Sequence, residues 1–302
     1  MQLPRVTIIV VALLVSAITE SRALAQADNE EQERAITAIR GLGGKVERDE
    51  RVAGMPVVSI AIVSRSNESV RHLKVFPKLR TLIARFGSLS DDDLKHLEGL
   101  TSLEALNLDY NKITDAGLTH LKGLKNLHLL VLGGNAITNA GLVHVKGLSK
   151  LQALGLGETR VSDEGLAQLR ALPDLQELNL MGCEITDTGL RVLKGMGNLR
   201  VLHLAGTQVS DVGVEHLAHE GAPALRKLLL TSTRITDASL GHLGRLTQLQ
   251  ELMINDNAIT DAGLASLEGL TGLKRLSVAR TQVTDAGIER IRRALPKLTI
   301  IR

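Results

Sequence analysis

Aromatic side chains are almost missing: the 302 residues hold no Trp, one Tyr (Tyr110) and two Phe (Phe76 and Phe86). A core in a chain of this length must then be filled by Leu, Ile, Val and Ala. That suits stacked, near-identical layers better than an irregular globule. The same lack removes the rings on which single-stranded nucleic acids stack, and sugar platforms want rings as well. Cysteine is down to Cys183, so no internal disulfide can form and packing must supply the stability. A dominant charge is missing too. Lys and Arg number 36 against 33 Asp and Glu, a net charge of +3. That excess is too small and too scattered for a nucleic-acid binder. A phosphate-binding glycine loop, a zinc-ligand spacing and a nucleophile elbow are also absent from the sequence. The chain reads as a non-enzyme with no cofactor.

The first residues, "MQLPRVTIIVVALLVSAITESRALAQADNE", are of a different kind. Arg5 precedes an apolar run from Val6 to Ile18, and Ala25-Gln26-Ala27 forms a small-x-small cleavage site. This pattern predicts a signal peptide over 1–27, cut before Asp28, and export to the periplasm, cell envelope or medium. The run holds 13 residues, short of the roughly 20 that a spanning helix needs. No membrane insertion is expected after cleavage; an uncleaved anchor is the alternative.

What fills the rest is repetition. Leucines at 79, 103, 127, 151, 175 and 199 recur every 24 residues; the next steps are 26 to Leu225, 24 to Leu249, 24 to Leu273 and 25 to Leu298. Each unit reads approximately LxxLxLxxNxITDAGLxxLxGLxx. "LxxLxL", as in Leu103, Leu106 and Leu108, contains an alternating segment that predicts one short strand. The next column (Asn111, Asn135, Thr159, Cys183, Thr207, Thr233, Asn257, Thr281) places small side chains at a buried turn, where they can bond unpaired backbone groups. An apolar plug follows, then a short helix with Leu118, Leu121 and Leu124 on one inward stripe.

The recurring hydroxyl-Asp pair, Thr114-Asp115 and its counterparts, falls where each helix starts. It is expected to cap that helix and complement its dipole. Asn139 replaces Asp in one unit, which suits a cap better than an acid or a metal ligand. The Gly of "KGL" (Gly99, Gly123, Gly147, Gly195, Gly269) is expected to end each helix. His72, His96, His120 and His144 share one helix column, with His216 and His242 later. Neighbouring helices lie roughly 8–10 Å apart and zinc holds nitrogens at about 2 Å, so the column does not predict a metal ladder. No metal site is expected. Cys183 takes its neighbours' role as a buried turn residue, not that of an activated nucleophile.

These columns resemble the leucine-rich repeat proteins. Their helical half is similar to the cysteine-containing and ribonuclease-inhibitor-like classes and to exported bacterial members with 24-residue units. The resemblance implies an α/β leucine-rich repeat solenoid, a horseshoe with a parallel β-sheet on its concave face and short helices on the convex face. It covers 79–298 strongly. A degenerate first unit is expected at 55–78, with Met55, Val58, Ile60, Val70, Leu73 and Phe76 placed 24 residues before 79, 82, 84, 94, 97 and 100. Full units then span 79–297 and a closing strand 298–302, within a repeat domain of 55–302. Ahead of it, 28–54 should form a capping helix, with Ala35, Ile36, Ile39 and Leu42 at helical spacing, and a short strand. Departures are Asp93 and Ser239 in place of Gly and the "AHEGAPA" insertion at 218–224.

By the same resemblance, the concave face would bind a protein partner without chemistry of its own. Asn107, Asn179 and His203 stand at the variable centre of their strands. Phe86 and Tyr110 lie two positions past the strand leucines in adjacent units, outside the core columns, as aromatic anchors or as packing against a cap or loop. Arg226, Lys227, Arg275 and Arg280 could place positive charge at the C-terminal end, with Glu177, Glu251 and Asp256 among them. The alternative is a structural envelope component that self-associates weakly through its terminal strands.

Overall fold

The computed structural model describes residues 26–62 and 67–302. The expected leader lies outside the described residues except for its last two positions, 26 and 27, which begin a helix described over 26–41. Ala35, Ile36 and Ile39 bury one stripe of that helix against the core. A strand β1, Lys45–Arg48, then pairs antiparallel with β2, Val57–Ile62. From β2 onward every pairing is parallel and sequential, ending at β12, Thr299–Ile301, in one 12-stranded sheet.

The strands are short because only three positions per unit alternate. In β4, Ala105–Asn107, and its successors the central Leu points inward: Leu106, Leu130, Leu154, Leu178, Leu202, Leu228, Leu252 and Leu276 are buried. Their flanking residues face the opposite side, as a period of two requires. Helices on the far side then seal the inward leucines.

The first unit departs from the expected register. The sheet pairs Ile60 with Leu82 and Ile62 with Ala84, so Val57, buried, occupies the place of Leu79. Met55 is instead exposed, with a left-handed backbone. Val70, Leu73 and Phe76 are buried like their counterparts 24 residues on, so the shortfall lies between strand and helix. A match of apolar letters hides such a slip, because Met55 and Val57 look equally suitable for the core.

The hydroxyl-Asp pairs do more than cap. Ser or Thr does accept from the amide two residues on, at 3.3 Å in Thr186 and Ser210. The Asp, however, reaches into the next unit: Asp91 Oδ1 accepts from the Thr114 amide (2.8 Å) and Oδ2 from its hydroxyl (2.6 Å). The same pair of bonds joins Asp115 to Thr138, Asp163 to Thr186, Asp187 to Ser210, Asp211 to Thr236, Asp237 to Thr260 and Asp261 to Thr284. Asn139 keeps the ladder by reversing one bond: its Oδ1 accepts from the Ser162 amide and its Nδ2 donates to the Ser162 hydroxyl, both at 2.8 Å.

That ladder explains the Gly two residues after each Asp. A Cβ at Gly117, Gly189, Gly213, Gly263 or Gly287 would overlap the carboxylate of the preceding unit. Ser239 fits because its hydroxyl and amide both donate to Asp211. Asp93 fits because Asn67, in the Asp column of the first unit, donates to it at 2.9 Å. Helix ends follow the expectation only in part. Gly99 and Gly195 are left-handed, whereas Gly123, Gly147 and Gly269 are not. Both kinds leave the helix through the same tight turn, the Leu100 amide on the Leu97 carbonyl and the Leu124 amide on the Leu121 carbonyl.

Candidate protein-binding surface

In the nine units from 81 to 280, the backbone passes through one left-handed residue two or three positions past the strand. Gly134, Gly182 and Gly206 hold this place in three units, but Phe86 (φ 55°), Tyr110 (φ 53°), Glu158, Ser232, Asp256 and Arg280 hold it in others. A bulky L-residue in this region costs roughly 1–2 kcal/mol. Two aromatic residues are therefore kept where glycine would be easier.

Both rings stand at the rim of the concave face. Phe86 is 57% exposed and Tyr110 38%. They stack with centroids 5.0 Å apart and planes 13° from parallel. The Arg85 guanidinium lies 4.8 Å from the Phe86 centroid, a cation–π contact. On the other side the Tyr110 ring covers Gly134, where any side chain would collide with it, and its hydroxyl donates to Glu158 Oε1 at 3.1 Å. That bond holds the phenol above its usual pKa. The aromatics thus pack against each other.

Beside them Asp109 is unusual. Its Oδ1 is buried without a hydrogen-bond partner among the described residues, while Arg85 lies 3.6 Å from Oδ2. Burial pushes the carboxyl up, against the pull of the Gly133 amide and Arg85.

Farther along the sheet a depression of about 310 Å³ is lined by Leu129, Val131, Val201 and Leu229, with Asn179, His203 and Lys227 at its margin. Gly155 makes the dip, since a Cβ there would stand 2.7 Å from Val131 Cγ1. Burial first and then the Lys227 charge lower the pKa of His203. Asn107 and Asn179 each spend one oxygen on the amide two residues on, at 3.1 and 3.0 Å.

The C-terminal cations are largely consumed. Lys227 Nζ is 3.0 Å and Arg275 Nη1 3.8 Å from Glu251, and Arg280 forks onto Asp256. Arg226 is exposed, outside the depression. The structure therefore brings Phe86 and Tyr110 together, gathers Asn179, His203 and Lys227, and separates Arg226 and Arg280 from both groups. Sequence reasoning missed Asp109 and Glu158. The glycines at 134, 182 and 206, in step with 86 and 110, were the available signal for the left-handed column.

Cys183 is a structural residue. Cys183 Sγ donates to the Leu156 carbonyl at 3.1 Å, and burial pushes its thiol up, away from a reactive thiolate.

Comparison with known proteins follows the same lines. Two family models, both described as leucine rich repeat, match this chain, one over 77–137, 101–161 and 223–283 and the other over 171–194 and 198–218. No curated protein matches it. Among solved structures, a leucine-rich repeat protein of Leptospira interrogans is similar at TM-score 0.53 and 23% identity, covering 76% of this chain and 56% of that one. This chain thus spans little more than half of that protein's length. An internalin of Listeria monocytogenes gives 0.44 and 20%, covering 89% and 93% of the two chains. Internalin C2 of the same organism gives 0.46 and 24%, covering 82% and 87%. Identities this low concern the fold alone.

Proposed function

Because the chain belongs to the leucine-rich repeat family, whose domains generally act as protein-interaction scaffolds, we propose that it binds a protein partner through its concave face and performs no chemistry of its own. The observation that carries this reading is the Phe86–Tyr110 stack: two exposed rings, held in a costly backbone conformation, beside an unpartnered carboxylate oxygen. Exposed Ile83 and Leu129 and the depression around Gly155 extend the apolar strip along the same face. Aromatic anchors surrounded by such a strip are where binding energy concentrates.

The protein works outside the cytoplasm in this reading, on the strength of the leader pattern in 1–27. No described helix is long and apolar enough to cross a membrane. The direct test is to immobilise the protein and capture partners from envelope and secreted fractions, beside a Phe86→Ala/Tyr110→Ala variant. A protein held by the wild type and lost by the variant supports the proposal; one held equally by both moves the site elsewhere.

A second reading, end-to-end self-association within the envelope, draws on β12. It is an edge strand carrying Ile301, 44% exposed. Monomer behaviour independent of concentration in sedimentation would remove it.

A further inference from the structure

One departure from the repeat builds a cluster of its own. In regular units the next buried apolar residue comes three positions after the last inward helix residue, as Met196 does after Leu193; Ala222 comes five positions after Leu217. The extra length is taken up as a π-turn, Leu217–Gly221, that prolongs the helix Asp211–His216. Such turns are rare and concentrate at functional sites. This one carries His219, which lies outside the histidine column. Glu215 precedes it by one turn, and His242 comes from the neighbouring helix Asp237–Leu243. One ligand atom from each of the three lies within 4.8 Å of the other two. The two imidazoles meet edge to face, with centroids 5.9 Å apart.

We propose that Glu215, His219 and His242 form a site for a divalent transition-metal ion of the zinc type, clipping two successive repeats together across the insertion. Two imidazole nitrogens and a carboxylate oxygen are a ligand set that zinc takes, with its fourth position left to water. Bonds of about 2 Å in a tetrahedron put ligand atoms roughly 3.3 Å apart. Glu215 and His219 are exposed and His242 is half-exposed, so modest side-chain rotation closes the remaining gap. A single carboxylate is too little for calcium or magnesium, which take mostly oxygen ligands.

Arg245 sets the condition for binding. Its Nη1 lies 2.7 Å from His219 Nε2 and 3.2 Å from Nδ1, so the guanidinium must swing aside before the imidazole can bind an ion. Its charge also opposes the cation. His216, the neighbouring column residue, is not part of the set: its Nε2 already accepts from Arg191 Nε at 2.9 Å.

The test is calorimetric titration of the full, tag-free chain with Zn²⁺, with Co²⁺ as a visible probe of tetrahedral coordination. The expected result is one equivalent bound. His219→Ala and His242→Ala should each weaken binding at least about tenfold. His216→Ala should leave it unchanged and Arg245→Ala should tighten it, with no competition from Ca²⁺ or Mg²⁺. Circular dichroism checks that each variant is folded. Lack of one-equivalent binding by the wild type overturns the proposal. So does binding that survives both His219→Ala and His242→Ala, or that His216→Ala abolishes.

Discussion

Each repeat turns twice, and the two turns obey opposite rules. On the helical side nearly every unit presents the same hydroxyl, Asp and Gly, and these groups satisfy one another across the unit boundary. On the concave side the outward residue after each inward strand Leu changes from Ile83 to Asn107, Val131, Gly155, Asn179 and His203, and the left-handed position after it changes from Phe86 and Tyr110 to Gly134 and Glu158. Repetition marks what holds the units together. Variation marks the surface that packing between units leaves free. Even exceptions on the helical side keep its rule, since Asn139, Ser239 and Asp93 each restore the bond that their substitution would otherwise remove.

The comparison breaks most sharply at the glycines. Gly189→Ala should cost about 2–4 kcal/mol in urea denaturation, because its Cβ overlaps the Asp163 carboxylate and disrupts the bonds to Thr186. Gly189→Ser should cost less, since its hydroxyl can donate to Asp163 as Ser239 donates to Asp211. Next in size is Asp163→Ala, which strands the amide and hydroxyl of Thr186 and should cost about 1–3 kcal/mol. Asp163→Asn, with Asn139 as precedent, should stay within about 1 kcal/mol in the same measurement.

Acid acts on the same ladder more gently. Burial alone would raise the Asp211 carboxyl, but hydrogen bonds from Ser239 and Thr236 outweigh it and hold the group below its ordinary 3.8. Asp261 is held down by Thr284. A carboxylate lowered by folding contributes stability that is complete above its unfolded value and lost as pH falls through the folded one. Urea midpoints should therefore drop below about pH 4, and Asp211→Asn should flatten that slope. The smallest effect on stability belongs to the concave rim. Phe86→Ala with Tyr110→Ala should change unfolding by less than about 1 kcal/mol, because both rings are exposed and alanine keeps the same left-handed strain.

The solenoid is legible in the sequence because its period and its inward leucines are local, repeated signals. Leu106 and Leu130 need only their spacing to be assigned. The site is less legible, since it depends on what neighbouring units do to one another. Lys227, Arg275 and Arg280 read as part of a mixed field, and only the register pairs them with Glu251 and Asp256 one unit away. The Gly after each Asp reads as a helix residue until the preceding carboxylate is seen to fill its Cβ space. His219 is hidden differently: an insertion moves it out of every column, so no alignment of units brings it near His242.

The central claim is that recognition belongs to the N-terminal concave rim, and amide hydrogen exchange with a captured partner tests it most directly. Slowed exchange at 83–86, 107–110 and 131–134, with the convex helices unchanged, is the predicted result. Protection confined to the helices or to the C-terminal units would contradict it.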